Sequence, residues 1–313
     1  MKSTSKFSFS EFCNIASRSE SDFESFGTTV KLGKDEGKTY TYKDNNSLVL
    51  GVAHLDTVQG GSNSSIIKVK SERVLMSPRL DDRLGVYIIT RLLPALGITC
   101  DWLLTTGEEI GCSSAEHFRA DKSYNWAFSF DRAGTDVVLY QHDHKALRKV
   151  LRKNGFVVGN GSFSDLSFLD IGCSGINFGC GYENAHSRDA YAILSDTFRM
   201  TDLFSRFWSR FNGKRLPYDP RARAETSFRR SWSDYAVTWQ PSRSNNGYWQ
   251  HNGREGYCAT ERAYLDWYKQ EDMEQCDYCG NYSYDVDFDG TAFACDDCNQ
   301  RMDEIARFTD NGK

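Results

Sequence analysis

Nothing in the chain reads as a membrane segment, since no apolar run approaches the ~18 residues that cross a bilayer. The N-terminus, MKSTSKFSFSEF, lacks the apolar core of a secretory signal, so the expected compartment is the cytoplasm. Charge of one sign is also missing. A net charge of -5, on a composition 39% hydrophobic and 26% charged, gives no global attraction to nucleic acid or to an anionic membrane, and either partner would need a local patch. No internal repeat is visible. What is present is length: 313 residues, at roughly 100 to 200 per domain, predict one large domain and something smaller.

Strand and helix patterns alternate through the first two thirds. SLVLGVAH is a mostly apolar run, as a strand covered on both faces would be, and SIIKVKSERVLM reads as a hairpin. DRLGVYIITRLLPAL carries apolar residues at helical spacing; DWLLTT, NWAFSFD, DVVLYQ and SGINFGCG read as further strands. A basic helix ends at Gly155, and SDTFRMTDLFSRFWSRF is the last helix of the series. The pattern predicts an α/β three-layer sandwich on a mixed, mainly parallel sheet, over residues 1–212. Residues 213–270 change texture to Arg, Ser, Asn, Gly, Trp and Tyr and read as a linker or extension with one short helix. Residues 271–305 form a small C-terminal module.

Polar residues recur where the strands end, which is where open α/β sheets place their sites. His54 and Asp56 follow SLVLGVA; Asp81 and Asp82 open a helix; Glu108 and Glu109 follow DWLLTTG; Asp131 ends WAFSFD; His186 follows GINFGCGYENA. Imidazole nitrogens and carboxylates converging on one edge suit borderline cations such as zinc. His54 is then a candidate ligand. Asp56, two residues on and on the same face of the extended chain, is expected to hold the other imidazole nitrogen.

AHLDTV, RLDDRLG, TTGEEIGCSSA, FSFDRAG and YENAHS stand in an order that resembles the co-catalytic di-zinc exopeptidases, the superfamily of tripeptidase T, zinc aminopeptidases and aminoacylases. The resemblance covers about residues 45–195. It implies that His54 and Asp131 share one zinc, that Glu109 and His186 share the other, and that Asp81 bridges both. It further implies Glu108 as general base, and a cis peptide before Asp82. Cobalt or manganese fits the same ligands. The implied substrates are short peptides, cleaved at a free N-terminus, or alternatively N-acyl amino acids. A different class of reading is a binding protein that keeps the metal-site scaffold without its activity.

The chain departs from relatives that insert a lid or dimerisation domain: 24 residues separate Asp56 from Asp81 and 54 separate Asp131 from His186, too few for either. An oxyanion donor would then come from elsewhere, with Tyr182, His142 and His144 as candidates. Asp165, in SFSDLSFLDIG, is a candidate for meeting a substrate's amino group or for capping a helix.

Of ten cysteines, six are scattered and read as reduced core thiols. Cys276 and Cys279, followed by Cys295 and Cys298, form two Cys-x-x-Cys pairs with hairpin-like sequence between them. That spacing predicts a structural zinc in a ribbon, which could scarcely hold a core without its metal. The ribbon is acidic, which disfavours nucleic acid and leaves a protein as its candidate partner.

Overall fold

A computed structural model describes residues 3–32, 38–61, 63–161 and 163–220, together with the backbone of four short strands further on. Helix α1 (Phe9–Ser17) begins where the Ser8 hydroxyl accepts the Glu11 N–H, and a 3-10 segment, Glu20–Phe26, follows it. Neither is evident in the sequence pattern. Strands β1 (Thr28–Lys31), β2 (Thr39–Lys43) and β3 (Val49–His54) precede the hairpin of β4 (Ser65–Val69) and β5 (Glu72–Met76). Helix α2 (Leu80–Tyr87) passes through a π-helical turn, Ile88–Leu92, into α3 (Leu93–Ala95).

After β6 (Asp101–Thr105) comes the 3-10 turn Ser114–His117, then β7 (Trp126–Ala133) and the two-residue β8 (Val137–Val138). Helices α4 (Lys145–Lys153) and α5 (Asp165–Phe168) lead to β9 (Ser174–Glu183), β10 (Tyr191–Ile193) and α6 (Leu194–Phe211).

The sheet runs β1-β2-β6-β3-β7-β9-β10-β5-β4, with β8 on β9. Its centre, β6-β3-β7-β9, is parallel, and every other pairing is antiparallel. The expectation of a mainly parallel sheet is therefore corrected. Parallel neighbours need a crossover connection, which α2 and α3 supply between β3 and β6, whereas the short links β1-β2 and β4-β5 only permit hairpins.

β3 is buried along its whole length, as its apolar run predicts. Val49 and Ala53 face the larger core with α1, α2 and α6, where Phe128, Phe130, Phe178 and Phe204 also meet. Leu50 and Val52 face a smaller core with Leu103, Phe118, Tyr124 and Leu166. Two faces covered this way make three layers, one of them thin. Leu216 is buried and the Pro217 carbonyl accepts from Ser174, so residues just beyond α6 pack back onto this body.

The chain divides into two compact units, residues 1–238 and 239–313. In the second, Val286–Phe288 pairs antiparallel with Phe293–Cys295, and Glu274–Gln275 with Tyr282–Ser283. Cys276, Cys279 and Cys298, like the side chain of Cys295, lie outside the described residues, as does most of the 213–270 extension.

Candidate metal centre

His54 ends β3 fully buried. Its Nε2 lies 3.1 Å from Asp81 Oδ1 and 3.5 Å from Asp131 Oδ1. The other oxygen, Asp81 Oδ2, lies 3.0 Å from His186 Nε2, which is also 3.0 Å from Glu109 Oε2. One aspartate thus faces two histidines with its two oxygens, and each histidine has a second carboxylate. Glu108 Oε2 stands further off, 3.8 Å from His54 Nε2.

The backbone explains why these groups meet. His54 and Thr105 are paired at the ends of the parallel strands β3 and β6. Gly107, at φ +82°, turns the chain after β6, and a Cβ there would lie 2.7 Å from the Cys112 carbonyl. The turn projects Glu108 and Glu109. The Asp81–Asp82 peptide is cis, as the resemblance implies. Asp82 is buried; its Oδ1 accepts the Gly85 N–H, and its Oδ2 has no hydrogen-bond partner.

The Asp56 carboxylate stands 3.7 Å from His54 Nδ1, on the side the sequence suggests, but its backbone comes closer. His54 Nδ1 lies 2.9 Å from the Asp56 backbone carbonyl, while the Asp56 carboxylate accepts the N–H groups of Glu108 and Glu109 at 3.4 and 3.0 Å. Extended geometry puts the Asp56 side chain on the right face, but the chain turns after Leu55 and brings the carbonyl closer. The carboxylate also pins the Glu108–Glu109 turn.

Asp165 is held by hydroxyl donors inside the fold. It is buried at the start of α5 and accepts from the Thr105 and Ser113 hydroxyls, while Ser164 caps the helix. Tyr182 is buried in β9. His142 and His144 lie beside the carbonyls of Leu166 and Pro217 respectively.

Two positioning residues carry no sequence signal. Gln59 donates from Nε2 to the His186 carbonyl at 2.8 Å, holding a residue whose φ of +59° is costly for histidine. Asn177 of β9 donates to the Asp131 carbonyl and accepts the Asp131 N–H.

The electrostatics show a surplus of negative charge. Burial pushes Glu108 up to about 9 and Asp131 to about 7, with neighbouring carboxylates adding to both. Burial likewise raises Asp82 well above the carboxylate range. Burial also opposes charge on His54, yet Asp131, Asp56 and Asp81 outweigh it and hold the ring well above its usual value. Hydrogen bonds to Asp81 and Glu109 raise His186 to about 10, and against burial the two histidines hold Asp81 low. Among the described residues, the ion pairs of Asp81, Glu108, Glu109 and Asp131 are all with these histidines.

Glu109 Oε1 is buried without a partner. Within this cluster His54, Asp81 and Glu109, and again His54, Glu108 and Asp131, bring ligand atoms within 4.8 Å of one another. Donor type, orphaned oxygen and unbalanced charge all fit divalent cations.

No family model and no curated protein matches the chain. Among solved structures it is similar to an aminopeptidase from the archaeon Desulfurococcus kamchatkensis, at 12% identity and a TM-score of 0.43, over 69% of this chain and 96% of that one. A tripeptidase from Staphylococcus aureus gives 10% and 0.44, over 62% and 94%. Aminopeptidase PepT from Bacillus cereus gives 12% and 0.42, over 62% and 95%. At that distance the chemistry of the site rests on its own atoms.

Proposed function

We propose that the protein is a metal-dependent hydrolase of short peptides, an aminopeptidase, holding two zinc ions between His54, Asp81, Asp131, Glu109 and His186. The observation that supports this best is Asp81 with an oxygen toward each histidine, 3.1 and 3.0 Å away. His54 and Asp131 are assigned to one ion, Glu109 and His186 to the other. When bound, such a pair of cations supplies an acidified water and a polarised substrate carbonyl.

The chain's own residues do the remaining work. Glu108 lies beside the cluster but further from His54 than Asp81 is, and it is assigned the proton: it takes it from the attacking water and returns it to the leaving amine. Burial raises Glu108 to about 9 in the metal-free protein, and beside bound cations it would be lowered to a carboxylate able to accept the proton. Asp56 keeps the Glu108–Glu109 turn in register with His54, and Gln59 keeps His186 facing Asp81. Cys276, Cys279, Cys295 and Cys298 are assigned a separate structural zinc on their spacing.

The test is a substrate panel offered to the full chain with zinc, cobalt or manganese. Release of N-terminal residues, blocked by N-acetylation of the peptide, is the expected result. Hydrolysis only of N-acyl amino acids would make the protein a deacylase. Peptide binding without turnover, and equal in Glu108→Ala, would make it a binding protein.

A further inference from the structure

A cavity of about 660 Å³ lies against the loop that follows β3, lined by Leu55, Thr57 and Gln59. Thr39, at the start of β2, also lines it and exchanges hydrogen bonds with Thr106 just beyond β6. The cavity therefore sits at the sheet edge that carries His54, and shares a loop with Asp56.

Its walls hold three guanidinium groups. Arg83 is only 2% exposed, and its Nη2 donates to the Arg18 carbonyl while Nε and Nη1 have no acceptor. Arg79 gives Nη1 to the carbonyls of Ala16 and Arg18, and its buried Nε has no acceptor either. Arg18 lines the same space. The Phe23 ring lies 4.7 Å from the Arg83 guanidinium, which fixes its plane.

Two carboxylates line the cavity, and Glu20 feels the charge of Arg83 and Arg79 only at a distance. Glu24 is paired with Lys31 at 3.1 Å, and among the described residues neither it nor Glu20 forms an ion pair within 4.0 Å with any of the three arginines. A buried guanidinium with no carboxylate in contact is costly, and its planar fork of donors fits carboxylate and phosphate.

We propose that this cavity binds an oxyanion, a carboxylate or phosphate group, held by Arg79 and Arg83 with Arg18 beside them. The ligand has two sources: the carboxylate of a substrate reaching in from the metal centre, which rests on the peptidase reading, or free phosphate, which does not.

Calorimetric titration of the full chain with inorganic phosphate and with glutarate reads the site directly. Binding is expected in the parent and in Asp81→Ala, which disables the metal centre as a rival seat, and is expected to weaken about tenfold or more in Arg79→Gln. Arg83→Gln should do the same, although Arg83 also supports Arg18 and Phe23. The Arg79 variant and the parent titration keep the proposal open to refutation should that chain not fold.

A second arm compares kcat/KM for peptides matched except for carboxylate against amide, at the side chain or the C-terminus. A carboxylate preference that falls about tenfold in Arg79→Gln identifies the substrate as the source. No preference, with phosphate binding that needs the arginines, identifies free phosphate. No anion binding by the folded parent, or equal binding in both arginine variants, overturns the proposal. Arginine-dependent phosphate binding in a chain that hydrolyses no peptide would retain the anion site and remove the peptidase reading.

Discussion

Replacing Glu108 with glutamine keeps the side chain's size and removes its capacity to accept a proton. If Glu108 is the proton carrier, kcat should fall by about 10²–10⁴. That corresponds to roughly 3–5 kcal/mol, at 1.36 kcal/mol for each decade. Metal content should not change, because the 3.8 Å separation from His54 sets Glu108 outside the tighter contacts of Asp81 and His186. The substitution has a second, opposite effect on the metal-free protein. Burial raises Glu108 from 4.5 to about 9, so the folded state retains a proton that the unfolded chain releases above 4.5. Stability is therefore lost as pH rises from 4.5 towards 9, by about 3 kcal/mol at pH 7. Glutamine carries no such penalty. Metal-free Glu108→Gln should then be the more stable protein at pH 7, with the difference vanishing near pH 4.5. Initial rates on a dipeptide, metal content by mass spectrometry and urea melts after chelation measure the three quantities. A folded variant that keeps more than about a tenth of parental kcat would refute the proton role. One that loses bound metal would make Glu108 a ligand.

Other outcomes follow from the same contacts. Protons compete with cations at His186 and Asp131, raised to about 10 and 7, so the rise in Tm on adding zinc should be larger at pH 8.5 than at pH 5.5; a rise independent of pH would contradict the ligand assignment. Asp101 is buried and accepts from the Tyr42 and Tyr124 hydroxyls, the N–H groups of Asn45 and Ser47, and Lys122 at 2.6 Å. Asp101→Ala should cost about 3–5 kcal/mol in a urea melt, and a loss below 1 kcal/mol would mean the network is dispensable. A Cβ on Gly85 would stand 2.1 Å from Asp82 Oδ1, so Gly85→Ala should destabilise by about 1–3 kcal/mol, although alanine normally favours a helix. Thermal melts read the sign. Cys276→Ser with Cys279→Ser should remove one of three bound ions and leave peptide turnover in place; loss of all three would deny a separate site.

Much of this molecule is written in local pattern. The unbroken apolar run of β3 announced a strand buried on both faces. The five boxes put His54, Asp81, Glu109, Asp131 and His186 on one list before any fold was known, because a polar residue at the end of an apolar strand is conspicuous. Residues 3–26 and β10 escaped notice. Their hydrophobic spacing is short or irregular, and Phe12, Ile15 and Phe23 are buried only because α2 lies over them.

Tertiary structure decided what local spacing does not encode. Antiparallel margins on a parallel centre depend on which edges remain open, and β10 joins β9 to β5 across more than a hundred residues. Spacing of two placed Asp56 beside His54, but whether carbonyl or carboxylate came closer to the ring depended on the turn after β3 and on the N–H groups of Glu108 and Glu109, about fifty residues away. Arg18, Arg79 and Arg83 were three unremarked cations in the sequence. Only folding gathers them around one cavity, buries Arg83 and leaves it without a contacting carboxylate, because desolvation and pairing are properties of three-dimensional surroundings.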